Sequence, residues 1–331
     1  MKTTLHKFAL SLERGLDRFR RQQKRSRVIE AYAGYATPTA LVARGRVLTS
    51  LRKQNPAVDA SWLTNLREMI SLFLTDEVAD VTVRTGETET TSDEEGYFTL
   101  SLPRESATGW VPLPVRIEGF EDETQCFVLV PSPEAKFMII SDIDDTVLET
   151  GAYSLTRNLW TSMTGNILNR RVYADAVRLL RDLSEEGRNP VYYVSSSPWN
   201  LYSFLTRIFA RNDLTRGPMF LRDLGLSEDK FITAGHGSHK GASIQTILEA
   251  NPTLPTLLMG DTGQKDAKIY ADVIEAFPDR VKAVILRETN DGSDAVDKSE
   301  MLRIRNAGVE VFHGPQMPPS RDVARLLTSE T

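Results

Sequence analysis

From residue 137 onward, short apolar runs alternate with helix-patterned segments, and carboxylates fall where several of the runs stop. Strands are expected at Phe137–Ser141, Val191–Ser195, Lys230–Ala234, Leu257–Gly260, Val281–Leu286 and Val309–His313. Helical spacing lies between them, as in ADAVRLLRDLSEEG, where Gly187 supplies a stop. Strict alternation of this kind restricts the chain to a doubly wound, mainly parallel sheet. Such sheets bind ligands at the carboxyl ends of their strands, so the residues at those ends are the candidates for function.

The first end reads SDIDDTVLET, with Asp142, Asp144 and Asp145 inside four positions. Like charges about 4 Å apart repel by roughly 4 kcal/mol at an effective dielectric near 20, so the cluster needs a compensating partner. The second end, VYYVSSSPWN, places Ser195 where the run stops. Ser197 and Pro198 have the character of an N-cap and first turn, ahead of a helix whose buried face is Leu201, Phe204, Leu205, Ile208 and Phe209. Lys240 in AGHGSHKGASIQTIL sits at the start of another helix, and Asp261 directly follows a strand with Asp266 five residues on. A calcium loop beginning at Asp142 fails, because its sixth position is Val147 and its twelfth Tyr153. GSHKGAS likewise does not fit a phosphate-binding P-loop. Phosphoryl transfer, which needs an in-line nucleophile and neutralisation of the equatorial oxygens, accounts for these residue types.

The motifs D-x-D-x-T (Asp142, Asp144, Thr146), strand-end Ser195, helix-borne Lys240 and G-D-x-x-x-x-D (Gly260, Asp261, Asp266) stand in the order of the haloacid-dehalogenase (HAD) superfamily, which residues 137–313 resemble. The resemblance implies a doubly wound Rossmann-like α/β sheet. It implies Asp142 as nucleophile, forming an aspartyl-phosphate, and Asp144 as general acid and base. Ser195 and Lys240 would then contact the phosphoryl group. Mg2+ would be held by Asp142, the backbone carbonyl of Asp144, Asp261 and Asp266. Asp145 is the variable residue of the motif, exposed or capping. More narrowly, DIDDT, SSSPWNL, GHGSHKGASIQTIL and GDTGQKDAKIYADVIEAFP resemble the actin-patch-associated phosphatidate phosphatase family. That implies Mg2+-dependent removal of phosphate from phosphatidate-like lipids. The stretches after Thr146 and after Ser195 leave room only for a small cap, which suits a substrate too large to enclose. Leu155, Leu159, Trp160, Met163 and Ile167 in the first stretch either grip acyl chains or pack into the core. His236 and His239 flank Lys240, within reach of a substrate, but lack metal-ligand spacing.

The expected division is a basic amphipathic helix over 1–30, a small β-sandwich-like domain with a helical insertion over 31–135, and the phosphatase domain over 136–331. In the first segment Leu5, Phe8, Leu12, Leu16 and Phe19 form a stripe beside Lys7, Arg14, Arg18, Arg20, Arg21, Lys24, Arg25 and Arg27. Such a helix over residues 1–28 either docks on its own protein or lies on an anionic membrane. The β-region resembles transthyretin-like or carboxypeptidase-regulatory modules, and ASWLTNLREMISLFL has helical spacing inside it. A net charge of −5 gives no overall pull toward nucleic acid, and none is expected as a partner. The single cysteine, Cys126, is expected to be buried filler. With no run of the length of a membrane span and no secretory signal, the expected location is cytoplasmic, with peripheral membrane contact through residues 1–28. The alternatives are the same chemistry on a soluble phosphate, a nucleic-acid end or a phosphoprotein, and a non-enzymatic membrane-surface or protein-binding module.

Overall fold

The computed structural model describes residues 27–49, 77–104, 106–149, 172–222, 239–289 and 292–328. The amphipathic stripe of the N-terminal segment, the helical insertion, the hydrophobic residues of the expected cap and the strand expected at 230–234 lie outside these residues.

Thirteen described strands form two sheets. The first contains β1 (Val28–Ala36), β2 (Ala40–Leu48), β3 (Thr82–Thr85), β4 (Thr88–Thr91), β5 (Tyr97–Pro103), β6 (Gly109–Ile117) and β7 (Glu123–Val130), in the order β4-β3-β6-β7-β1-β2-β5. It is mixed, since β1 pairs parallel with β7 while the other neighbours are antiparallel. The expectation of a β-sandwich is thereby modified. Val83 near one end of the order and Phe98 at the other share a single core with Ile29, Val47, Val115 and Val128, so one sheet curls around its own interior. Cys126 lies in that core, and burial pushes its thiol up to about 12. Val28 to Glu30, assigned from sequence to the N-terminal helical segment, belong to β1.

The second sheet holds β8 (Met138–Asp142), β9 (Val191–Pro198), β10 (Met219–Arg222), β11 (Thr256–Asp261), β12 (Val281–Arg287) and β13 (Glu310–Gly314). All are parallel, in the order β10-β9-β8-β11-β12-β13. Successive side chains of a strand point to opposite faces, and the core divides accordingly. Ile139, Tyr193, Met259 and Ile285 pack with α1 (Ala174–Ser184), α2 (Tyr202–Arg211) and α6 (Ser320–Thr328). Ile140, Tyr192, Leu258 and Leu286 pack on the other face with α3 (His239–Ala250), α4 (Asp266–Ala276) and α5 (Ala295–Asn306). The chain therefore winds both ways from β8, and the topological switch falls between β8 and β11, where a doubly wound sheet opens its crevice. The four-residue strand β10 was not among the expected ones. The run ending at Ser195 also extends further than expected, through Pro198, and a short 3-10 turn at Trp199–Leu201 precedes α2. Ser197 is thus a strand residue, not a helix cap.

Ile139 is fully buried at the centre of the parallel sheet. Ile139→Ala is expected to lower the unfolding free energy by about 2–5 kcal/mol, seen as a lower denaturant midpoint at unchanged slope.

Candidate active site

Asp142 is the last residue of β8 and Asp261 the last of β11, and these strands are hydrogen-bonded neighbours at the switch point. Asp266 opens α4 and turns back onto them, its Oδ2 accepting from the Asp261 amide at 3.3 Å. The approach is close enough to dictate the intervening residue. A Cβ on Gly260 would lie 2.4 Å from Asp266 Oδ2 and 2.6 Å from the Tyr270 hydroxyl, so any side chain there would force these groups to move. Lys240, in the first turn of α3 and 3% exposed, places its ammonium 2.7 Å from Asp142 Oδ1 and 2.6 Å from Asp266 Oδ1. The three carboxylates offer ligand oxygens that all lie within 4.8 Å of one another.

This is a charge-poor interior for so many acids. Burial raises the Asp142 carboxyl well above its ordinary range; Lys240 opposes that, while Asp266 and Asp144 add to it. Burial, Asp266 and Asp142 raise Asp261 in the same way. Burial alone would lower the Lys240 ammonium, but Asp142, Asp266 and Asp261 outweigh it and hold the proton firmly. With all three carboxylates ionised against one ammonium the net charge is two negative, which one divalent cation would balance. Asp261 Oδ1 accepts from the Gly263 amide at 2.5 Å, whereas its Oδ2 is buried with no hydrogen-bond partner among the described residues. Hard carboxylate oxygens, one of them unsatisfied, suit a hard divalent cation.

Asp144 stands apart from this triad. Ser195 and Ser197 both donate to its Oδ2 at 2.9 Å, and the Ser197 amide donates to Ser195 Oγ at 2.9 Å. The structure thus brings Asp142, Asp144, Ser195, Lys240, Asp261 and Asp266 to one end of the sheet, and adds Ser197, which sequence reasoning assigned to a helix cap. Its alternation with Ser195 along one strand was the available signal. Thr146 donates to Asp142 Oδ2 at 3.2 Å. Asp145, expected to be exposed or capping, is buried and has φ 56°. Aspartate tolerates this left-handed conformation, which lets the Asp145 amide reach Leu148 O at 2.7 Å and closes the loop. His239 opens α3 half-buried, and His236 lies outside the described residues.

Arg287, also missed from sequence, ends β12 beside Asp261. Its guanidinium reaches Thr146 O (3.3 Å), Pro315 O (2.8 Å) and Asp175 Oδ1 (2.8 Å), and lies 4.0 Å over the Tyr173 ring. Its own carbonyl accepts from the Thr262 amide at 3.1 Å. One residue therefore ties the loop after β8 to the loop after β11. Partial burial pushes the Asp175 carboxyl up, but hydrogen bonds from Arg287 and the Met317 amide outweigh it and hold the group below its ordinary value. A cleft of about 600 Å³ at the opposite end of the sheet, lined by Lys136, Pro255, Arg104 and Asn251, contains no carboxylate.

Residues 137–288 match the family described as Phosphatidate phosphatase APP1, catalytic domain. That part of the chain is accordingly similar to this catalytic domain. The phosphatidate phosphatase APP1 of Saccharomyces cerevisiae is 26% identical over 149 residues, 45% of this chain and 25% of that protein. An uncharacterized protein of Schizosaccharomyces pombe is 28% identical over 154 residues, again 45% and 25%. The chain thus aligns with only a quarter of the length of these relatives. A crystal structure of a carbohydrate acetylesterase from Xanthomonas citri aligns with 91% of this chain and 74% of its own at 12% identity, but its TM-score of 0.33 carries no argument. Among the described residues no helix is long and apolar enough to cross a membrane.

Two outcomes follow from this geometry. Gly260→Ala is expected to destabilise the protein by about 1–3 kcal/mol, measured by denaturant unfolding, because Asp266 and Tyr270 must move. The depressed Asp175 carboxyl contributes stability above the ordinary carboxylate pKa of about 3.9, and that contribution is lost as pH falls through the lower folded value. Asp175→Asn is therefore expected to lower the melting temperature at neutral pH and to converge with the parent at acid pH.

Proposed function

We propose that the chain is a Mg2+-dependent phosphomonoesterase that works through a phosphorylated Asp142 and acts on phosphatidate or a related anionic phospholipid. The observation that carries this reading is the convergence of Asp142, Asp261 and Asp266 on Lys240, with Asp144 held separately by two serines. Nucleophile and proton carrier have different surroundings, as the chemistry requires. The arrangement resembles the division of roles in HAD phosphotransferases. The name of the Saccharomyces cerevisiae relative supports phosphatidate as the substrate class.

Asp142, Asp261, Asp266 and the backbone carbonyl of Asp144 would hold the cation. When bound, it would offset charge on the phosphoryl oxygens and on the carboxylates around it. Asp142 attacks phosphorus through a carboxylate oxygen while the ester P–O bond breaks. Asp144 gives its proton to the departing lipid alkoxide. In the second half, Asp144 takes a proton from water, the water oxygen bonds to phosphorus, and the bond between phosphorus and Asp142 breaks. Inorganic phosphate leaves and both carboxyls return to their starting states. Throughout, Lys240 balances charge beside Asp142, and the Ser195 hydroxyl, which donates to Asp144 Oδ2 in the free site, would turn to donate to a phosphoryl oxygen when substrate is bound.

The test is turnover on phosphatidate in mixed micelles with Mg2+, beside a small soluble phosphomonoester. Phosphatidate is expected to be the better substrate, and Asp142→Asn is expected to reduce both activities to background in a folded protein. Asp144→Asn is expected to lower kcat by about 10²–10⁴-fold. Activity retained by Asp142→Asn would end the covalent mechanism. Preference for the soluble ester would end the lipid assignment.

A further inference from the structure

The first sheet meets the segment that carries Ser195 and Ser197 at Trp199. Trp199 follows Ser197 by two positions, and its indole stacks on the Tyr32 ring of β1, with centroids 4.4 Å apart and planes inclined by 19°. Tyr32 also packs against Tyr202, at 4.6 Å. The seven residues from Ser195 to Leu201 therefore run from the carboxylate of Asp144 to an aromatic anchor supplied by the other sheet.

A β-bulge makes the contact possible. Tyr32 pairs with Arg44 and Tyr35 with Val42, so Ala33 and Gly34 together face one residue of β2. A Cβ at Gly34 would lie 2.2 Å from Val42 O, which makes the tight bulge a glycine position. The bulge turns the backbone of Ala33 away from the ladder. Its amide donates to the Tyr202 hydroxyl at 2.7 Å, and its carbonyl accepts from Arg44 Nη2 at 2.7 Å. Arg44 then crosses to the parallel sheet, donating to Met219 O at 3.1 Å, with its guanidinium 5.4 Å from the Trp199 ring and 4.4 Å from the Phe220 ring. No carboxylate among the described residues pairs with Arg44, and its Nε is buried without a hydrogen-bond partner. A guanidinium in that situation is unfavourable unless its geometry is needed. Here Nη2 alone serves two backbone carbonyls while the cationic face lies against the aromatic rings.

We propose that Tyr32 and Arg44 are positioning residues for the proton-transfer half of the site. They grip Trp199 and thereby fix Ser195 and Ser197 where both hydroxyls reach Asp144. The first sheet is on this account part of the catalytic apparatus, although none of its residues touches the reacting atoms.

The test uses the full chain with two measurements, and only the kinetic one rests on the proposed function. Tyr32→Leu is expected to lower kcat on p-nitrophenyl phosphate with Mg2+ about tenfold or more, because small misplacements of catalytic groups are amplified in the rate, while KM stays within about twofold. Hydrogen exchange of the peptide spanning 195–202 is expected to speed up about tenfold, as local opening becomes easier. Tyr32→Phe keeps the stack and is expected to restore both values to within about twofold of the parent. Arg44→Met fills similar space without the two Nη2 hydrogen bonds and is expected to shift both measurements in the same direction, which supplies a second variant if Tyr32→Leu does not fold. Faster exchange with unchanged kcat, or a lower kcat with unchanged exchange, would overturn the proposal. If the parent protein hydrolyses no phosphoester, the proposed function fails instead, and exchange at 195–202 alone decides the clamp: unchanged exchange overturns it.

Discussion

The site rests on one buried ammonium. Lys240 is enclosed between Asp142 and Asp266 at 2.7 and 2.6 Å, and these acids come from different elements, one ending β8 and one opening α4. Without that cation, carboxylates this close could not share a buried cleft in ionised form. Its placement in turn needs α3 packed on the sheet face where Ile244, Ile247 and Leu248 meet Ile140 and Leu258. The electrostatics and the packing therefore define each other: the helix delivers the charge, and the charge permits the acids to collect where the winding direction changes.

Around this centre the structure separates two tasks that a lone cluster of carboxylates would confuse. Asp142 lies with Lys240 and Thr146, and Asp144 two residues later lies with the serines of β9. Adjacent side chains on an extended backbone point apart, and D-x-D would place both acids on one side. The backbone between them leaves the strand after Asp142, and the left-handed turn at Asp145 brings the chain back to Leu148. The second carboxyl reaches β9 from this loop.

Much of this was legible in the chain. Five of the six expected parallel strands stand within a few residues of their expected places, because a strand buried on both faces must be apolar and must end abruptly. The acids at 142, 144, 261 and 266, with Ser195 and Lys240, were found by position at those ends. What was missed depends on contacts distant in sequence. The strand β10 has four residues, too short for a periodic signal. Ser197 precedes proline and so has the local signature of a cap; only the carboxyl of Asp144, 53 residues away, shows otherwise. Arg287 has no motif, since its partners Thr146, Asp175 and Pro315 come from three separate segments. β1 escaped because VIEAYAGYA mixes small and aromatic residues, and the feature that matters there is a bulge.

The guanidinium of Arg287 is shared among a carbonyl from the loop after β8, a carbonyl beyond β13 and a carboxylate at the start of α1. A planar fork can serve such a trio because its donors diverge at fixed angles, whereas an ammonium on a flexible stem is a single compact centre. Replacement by lysine conserves the charge and loses the junction. At this corner of the fold, chemical similarity between side chains is a poor guide to tolerance, and a substitution usually regarded as mild would release three segments at once.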